Sequence, residues 1–272
     1  PSLSEFLDHA ASLMNFCQTN DASETPSRFV AATEKLVGLT KAIVFETKAA
    51  GSKGHLTHVA LPALVELLSR IPRERLNAHA QSWLKWLTRS SEPIPQAFAL
   101  DLLLATGHLL SAERAREAIK ALETLYEDEA ETDKRARWLG GIALLARQTD
   151  QPELLSTAGL RLVKLLESAE ADTQAIEGVE ALSRMAAWLP LAEASIAVRT
   201  LAATVVRLDP DGDTLATSIN WGLGQYRAEE VARSARLLVA TIAAETNRDR
   251  RFWLAAALAS LAPRLSPEQA QA

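Results

Sequence analysis

Arg248, Arg250 and Arg251 stand beside Phe252 and Trp253 in the string N-R-D-R-R-F-W. Guanidinium groups next to aromatic rings can bind phosphates or stack on bases, and arginine and tryptophan are also favoured anchors at protein interfaces. The plainer expectation for this string is a helix start with exposed arginines and a buried Trp253. A second basic group is Arg70, Arg73 and Arg75. Trp83 and Trp86 lie three apart on one predicted helix, so both can be deeply buried only under a broad apolar face, and one is expected to be open to a partner. The candidate partner-binding residues are therefore Arg73, Trp83, Trp86, Arg248, Arg250 and Arg251.

Other constellations lead back to ordinary structure. His55 and His58 form H-L-T-H after Gly51, Ser52 and Gly54, and two rings three apart could share a metal. No cysteine or carboxylate with ligand spacing follows, so the pair reads as a polar helix start. Asp209, Asp211 and Asp213 match the first three ligand positions of a calcium loop. Thr214 stands where that loop needs glycine and Asn220 where it needs the bidentate glutamate, so the segment reads as an interhelix turn. Glu127, Asp128, Glu129, Glu131 and Asp133 could supply a general acid and base, yet such a run reads first as a solvated linker. The stretch A-A-G-S-K-G from Ala49 lacks the phosphate-loop pattern. Cys17, the one cysteine, sits in an apolar helical pattern and reads as a packing thiol. No G-x-S-x-G, S-x-x-K or cysteine–histidine neighbourhood is present, and no G-x-G-x-x-G follows a strand. The expectation is a protein without cofactor or metal, and not an enzyme.

The elements that position these residues are helices. Alanine and leucine, 49 and 43 of the 272 residues, are strong helix formers, and aromatic residues make up 5%. Apolar residues recur at i, i+3, i+4 and i+7, as in Ile119, Leu122 and Tyr126. Most prolines fall between such segments. The pattern predicts about thirteen helices, over 2–18, 27–48, 56–71, 74–89, 95–109, 112–128, 133–148, 152–167, 173–188, 191–207, 213–225, 228–245 and 249–264. Ser111, Thr132–Asp133, Asp172–Thr173 and Asp213–Thr214 are the expected start signals.

The helices recur in pairs. Strings from Trp83, Leu122, Leu162, Ala202 and Val239 each contain an apolar helix end, a polar linker and a second apolar helix. With Val44, Leu87, Leu125, Leu165, Val205 and Ile242 taken as equivalent, the spacings are 43, 38, 40, 40 and 37 residues. In this layout the chain from Arg28 to Leu265 resembles the HEAT and armadillo helical-repeat proteins, whose repeats span about 40–47 residues. The resemblance implies an all-α fold, a right-handed α-α superhelix of about six helix pairs with a period near 40. It would form one domain over 1–272, with a capping helix in 1–26, paired repeats in 27–265 and a tail or the start of a further repeat in 266–272. Alanine rows such as Ala255–Ala257 and the pair Gly140–Gly141 are expected where helices approach closely.

Charge narrows the partner. The net charge is −5, and no long segment is strongly basic, whereas nucleic-acid affinity rests on neutralising phosphates. The expected partner is a peptide or protein held along one row of helices. A nucleic-acid-binding HEAT-like protein, as in a DNA-glycosylase group, is the first alternative, and an enzyme or effector whose site is hidden from the sequence is the second. The start P-S-L-S-E-F-L lacks the features of a secretory signal, and the most apolar stretch, Ala97–Leu110, is interrupted by Asp101 and His108 and too short to span a bilayer. The expectation is a cytoplasmic protein with no membrane association.

Overall fold

The computed structural model describes residues 68–69, 71–89, 93–208, 219, 223 and 228–268. The chain divides into two compact units, Pro1–Ala121 and Leu122–Ala272. Every regular element among the described residues is an α-helix or a short 3-10 turn.

The first unit contains α1 (Arg73–Arg89) and α2 (Pro93–Thr106), followed by a 3-10 turn at Gly107–Leu109. α1 buries Leu76, Ala80, Trp83, Leu84 and Leu87, residues spaced by three and four along one face. That face packs against α2, and the Gln96 amide donates to the Leu87 carbonyl at 3.2 Å. α3 (Ala112–Asp128) contains the division between the units. Its N-cap is Ser111, whose hydroxyl accepts from the Arg114 N–H at 3.2 Å, as the sequence led us to expect.

The second unit contains α4 (Thr132–Gln148), α5 (Pro152–Ser168), α6 (Asp172–Met185), α7 (Leu191–Leu208), α8 (Ala228–Ala244) and α9 (Arg248–Leu261), closed by a 3-10 turn at Ala262–Arg264. α4 packs on α5, α5 on α6, α6 on α7 and α8 on α9; α4 also packs on α6, α5 on α7, and α7 on both α8 and α9. Glycine permits the closest of these crossings. A methyl placed on Gly140 would lie 3.0 Å from Ala181 Cβ, and one on Gly178 would lie 3.6 Å from Ala136 Cβ. The order 136–140 against 178–181 means that α4 and α6 run in the same direction. α5 and α6 run in opposite directions: Gly159 opposes Met185 and Leu189, while Gly178 opposes Leu166. Leu139, Leu162 and Leu182, all fully buried, contribute about 1.5–3 kcal/mol each through removal from water.

The chain turns are built locally. α4 ends with Asp150 at φ 55°. The Gln151 N–H bonds to the Ala146 carbonyl at 2.8 Å and the Asp150 N–H to that of Arg147 at 3.3 Å. This double bond pattern closes a helix through a left-handed residue, which aspartate tolerates better than most. Pro152 then occupies the first turn of α5, where its missing N–H costs nothing. Buried hydroxyls turn back on their own helices: Thr106 donates to the Leu102 carbonyl, Thr241 to that of Leu237 and Ser183 to that of Val179.

Several expectations need correction. α6 stops at Met185 rather than 188, because the N–H groups of Trp188 and Leu189 both turn back to the Met185 carbonyl ahead of Pro190. α9 stops at Leu261, and Pro263 lies in the 3-10 turn that follows. α4 is capped by Glu131 through its backbone carbonyl, which accepts from the Arg135 N–H. Thr132 and Asp133 fall inside the first turn. Ala255 and Ala256 are exposed, so that alanine row is not a close helix contact. The 3.6-residue period carries both to the outer side of α9, while Leu254 and Leu261 are buried.

Candidate functional site

α7 presents a stripe at i, i+3, i+7 and i+11: Ile196, Arg199, Ala203 and Arg207. A groove of about 380 Å³ runs along this stripe, with Thr200 and Thr204 also on its wall, Glu167 from α5 and Arg250 from α9. Three guanidinium groups from two helices therefore meet one carboxylate. Ile196 is 44% exposed, whereas Thr200 and Thr204 are 8% and 2% exposed and form part of the floor.

The three arginines have different commitments. Arg207 donates from both terminal nitrogens to the carbonyls of Ala169 and Leu166 at the C-terminal end of α5, the latter at 2.6 Å. Its cation thus sits at the negative end of that helix, and it holds the C-terminal ends of α5 and α7 side by side. Arg250 lies 3.7 Å from Glu245. Glu245 opens the α8–α9 connection: the Asn247 N–H donates to its carboxylate at 2.9 Å, and the Asn247 side chain in turn accepts from the Arg250 N–H at 2.9 Å as the N-cap of α9. That backbone donor is the main cause holding the Glu245 carboxyl below its ordinary range, against the opposing effect of burial; Arg250, the Thr246 N–H and Arg199 add to the lowering. Arg199 is exposed and reaches Glu245 only through its field.

Of the six residues selected from the sequence, Arg250 reaches this groove. Arg248 and Arg251 are exposed elsewhere on α9, as is Phe252 at 65%, which meets Trp253 edge to face at 5.4 Å. Trp83 is fully buried and stacks on His79 at 6.2 Å, while Trp86 is half-buried. Trp83 is three residues after Ala80 and four before Leu87, in phase with the buried face; Trp86 is out of phase. Arg73 closes the first unit's turn, donating to the carbonyls of Leu109 at 3.1 Å and Leu110 at 2.6 Å. Arg199, Arg207 and Ile196 were not singled out in the sequence.

The chain matches no known family model, no curated protein and no solved structure.

Two further clusters are structural. Arg147 at the end of α4 forms an ion pair with Glu230 of α8, and its guanidinium stacks over the Trp188 ring at 4.6 Å. The Trp188 indole N–H donates to the same carboxylate oxygen at 3.0 Å. Tyr126 lies between Arg135 at 4.5 Å and Arg161 at 5.2 Å. A small cavity of about 30 Å³ lies among Ser183, Leu201, Leu223, Ser234, Leu238 and Trp253. Its wall is mostly apolar, with the Ser183 and Ser234 hydroxyls as its polar side-chain groups.

The acidic run spans the end of α3, the short linker and the first turn of α4, with internal pairing. Lys134 bonds Glu131 at 2.8 Å and lies 4.0 Å from Glu129. Asp133 is its exception: burial above all, then Glu177 and Glu131, pushes its carboxyl above the ordinary value, with Arg137 opposing. Among the described residues no cluster of histidine, cysteine, aspartate or glutamate could hold a metal, and no helix is long and apolar enough to cross a membrane. Cys17, His55, His58, the 49–54 stretch and the Asp209–Asp213 loop lie outside the described residues.

Proposed function

We propose that this chain is a non-enzymatic protein-interaction module that holds a peptide or protein segment along one row of its helices. The observation that carries this reading is the groove on α7, to which α5 and α9 also contribute. These helices lie side by side, α5 packed on α7 and α7 on α9. Stacked helix pairs contribute one helix each to such a row, and the row forms an extended binding strip.

The same reading takes the chain as a right-handed α-α superhelix of about six helix pairs with a period near 40. Sequence separations support the period. Arg137 pairs with Glu177, 40 residues on; Arg207 reaches Ala169 and Leu166 at 38 and 41; Arg233 reaches Leu189 at 44; Arg264 reaches Leu223 at 41. One cysteine in the whole chain suits the cytoplasm, where disulfides are rare.

Selection of a displayed random-peptide library on the immobilised chain tests the function. The expected result is a shared consensus whose synthetic peptide binds the free chain with a dissociation constant of about 10 µM or tighter. No enrichment over an unrelated helical bait overturns the reading.

A further inference from the structure

We infer that the groove along α7 receives an acidic peptide segment, with Arg199 as the cation that meets its carboxylates; this rests on the interaction-module reading above. The cationic side chains of the groove are not equally available. Arg207 spends its donors on two carbonyls of α5. Arg250 faces Glu245, whose carboxylate is already anchored by the Asn247 N–H. Arg199, exposed in the middle of the stripe, has no ion-pair partner among the described residues. A guanidinium offers a fork of donors matched to a carboxylate. One turn before it, Ile196 offers apolar surface, and the nearly buried Thr200 and Thr204 add polar groups to the floor. From Ile196 to Arg207 the stripe spans about 16 Å at 1.5 Å per residue, the length of about five residues of extended chain.

The pattern suits isolated carboxylates separated by apolar side chains better than a run of phosphates. Glu167 lines the same groove, Glu245 stands next to it, and the chain carries a net −5. A phosphodiester strand would bring a negative charge against both glutamates, whereas a peptide can place its carboxylates opposite Arg199 and turn its other side chains toward them.

The test uses the full chain and fluorescein-labelled peptides of alternating Glu and Leu, Gln and Leu, or Lys and Leu, followed by anisotropy. The Glu/Leu peptide is expected to bind at least about tenfold more tightly than the other two, and Arg199→Glu to remove about tenfold of that affinity, an effect that shrinks with added salt. Arg236→Glu, an exposed arginine on α8, is expected to leave it unchanged. Arg199→Gln serves as the milder variant should circular dichroism show loss of helix in Arg199→Glu. Equal binding of the Glu/Leu and Gln/Leu peptides, or equal affinity of the wild type and both Arg199 variants, overturns the inference. So does single-stranded DNA that displaces the peptide and is itself weakened by Arg199→Glu, which would make this a phosphate site. Self-association lost on Arg199→Glu in sedimentation also overturns it, since the occupant would be a second copy. A library consensus without acidic residues sinks the acidic segment but leaves the interaction module standing, whereas absence of any consensus removes both.

Discussion

The α4–α6 and α7–α9 contacts both join helices that are not consecutive in the chain, yet the surfaces beside them differ. Between α4 and α6, Gly140 meets Ala181 and Gly178 meets Ala136, leaving no room for a further methyl at the first position. Beside α7 and α9 the side chains are long and cationic, and a groove of about 380 Å³ remains between them. Small residues let two backbones close on each other, which fixes geometry through van der Waals contact. Along the groove the arginines instead leave polar surface open to solvent. The first contact is suited to holding a shape and the second to meeting something from outside.

The sharpest way to break the contrast is to enlarge the tight contact. Gly140→Leu is expected to lower unfolding stability by about 3 kcal/mol, since the Ala181 Cβ in its way cannot rotate aside. Urea unfolding measures this, and a shift of a few tenths of a kcal/mol would show that the interface is softer than its spacing. Next comes the clasp between the two regions. Glu230→Ala leaves Arg147 without its carboxylate and the Trp188 N–H without its acceptor, for an expected loss of about 2 kcal/mol in the same assay.

A smaller effect is expected at Asp133, whose carboxyl is raised in the folded chain. The native state then holds the proton more tightly than the unfolded state, so the charged form costs stability once pH rises through the raised value. Asp133→Asn is expected to raise the melting temperature on the order of 1 °C at about pH 7 and to converge with the wild type near pH 4. A gap that widens on acidification would contradict the direction of the shift. The smallest change is expected in the groove, where Arg199→Glu should alter stability by less than about 0.5 kcal/mol. A large loss there would mean that the open contact, too, is structural.

Among the described residues the helices were largely legible because their signals are local. Ser111 caps α3 where the sequence placed a start, and Pro152 and Pro190 punctuate as expected. The side of each helix was partly legible: the burial of Trp83 and not Trp86 follows from phase with Ala80 and Leu87. The exposure of Ala255 and Ala256 was not, since alanine suits either face. The groove was hidden for another reason. Arg199, Arg207, Arg250 and Glu167 belong to three helices, and no short window of sequence contains them. The stripe Ile196, Arg199, Ala203 and Arg207 was a signal available within α7, visible once its polar phase was followed.

The arginine bonds to distant carbonyls also set an order in time. Arg207 completes the end of a helix whose last carbonyls, at Leu166 and Ala169, precede it by 41 and 38 residues. At synthesis rates of about 5–20 residues per second, that end waits roughly 2–8 s on the ribosome for its donor. Arg233 and Arg264 likewise donate to the Leu189 and Leu223 carbonyls, 44 and 41 residues earlier. For each of these carbonyls the donor leaves the ribosome well after the acceptor.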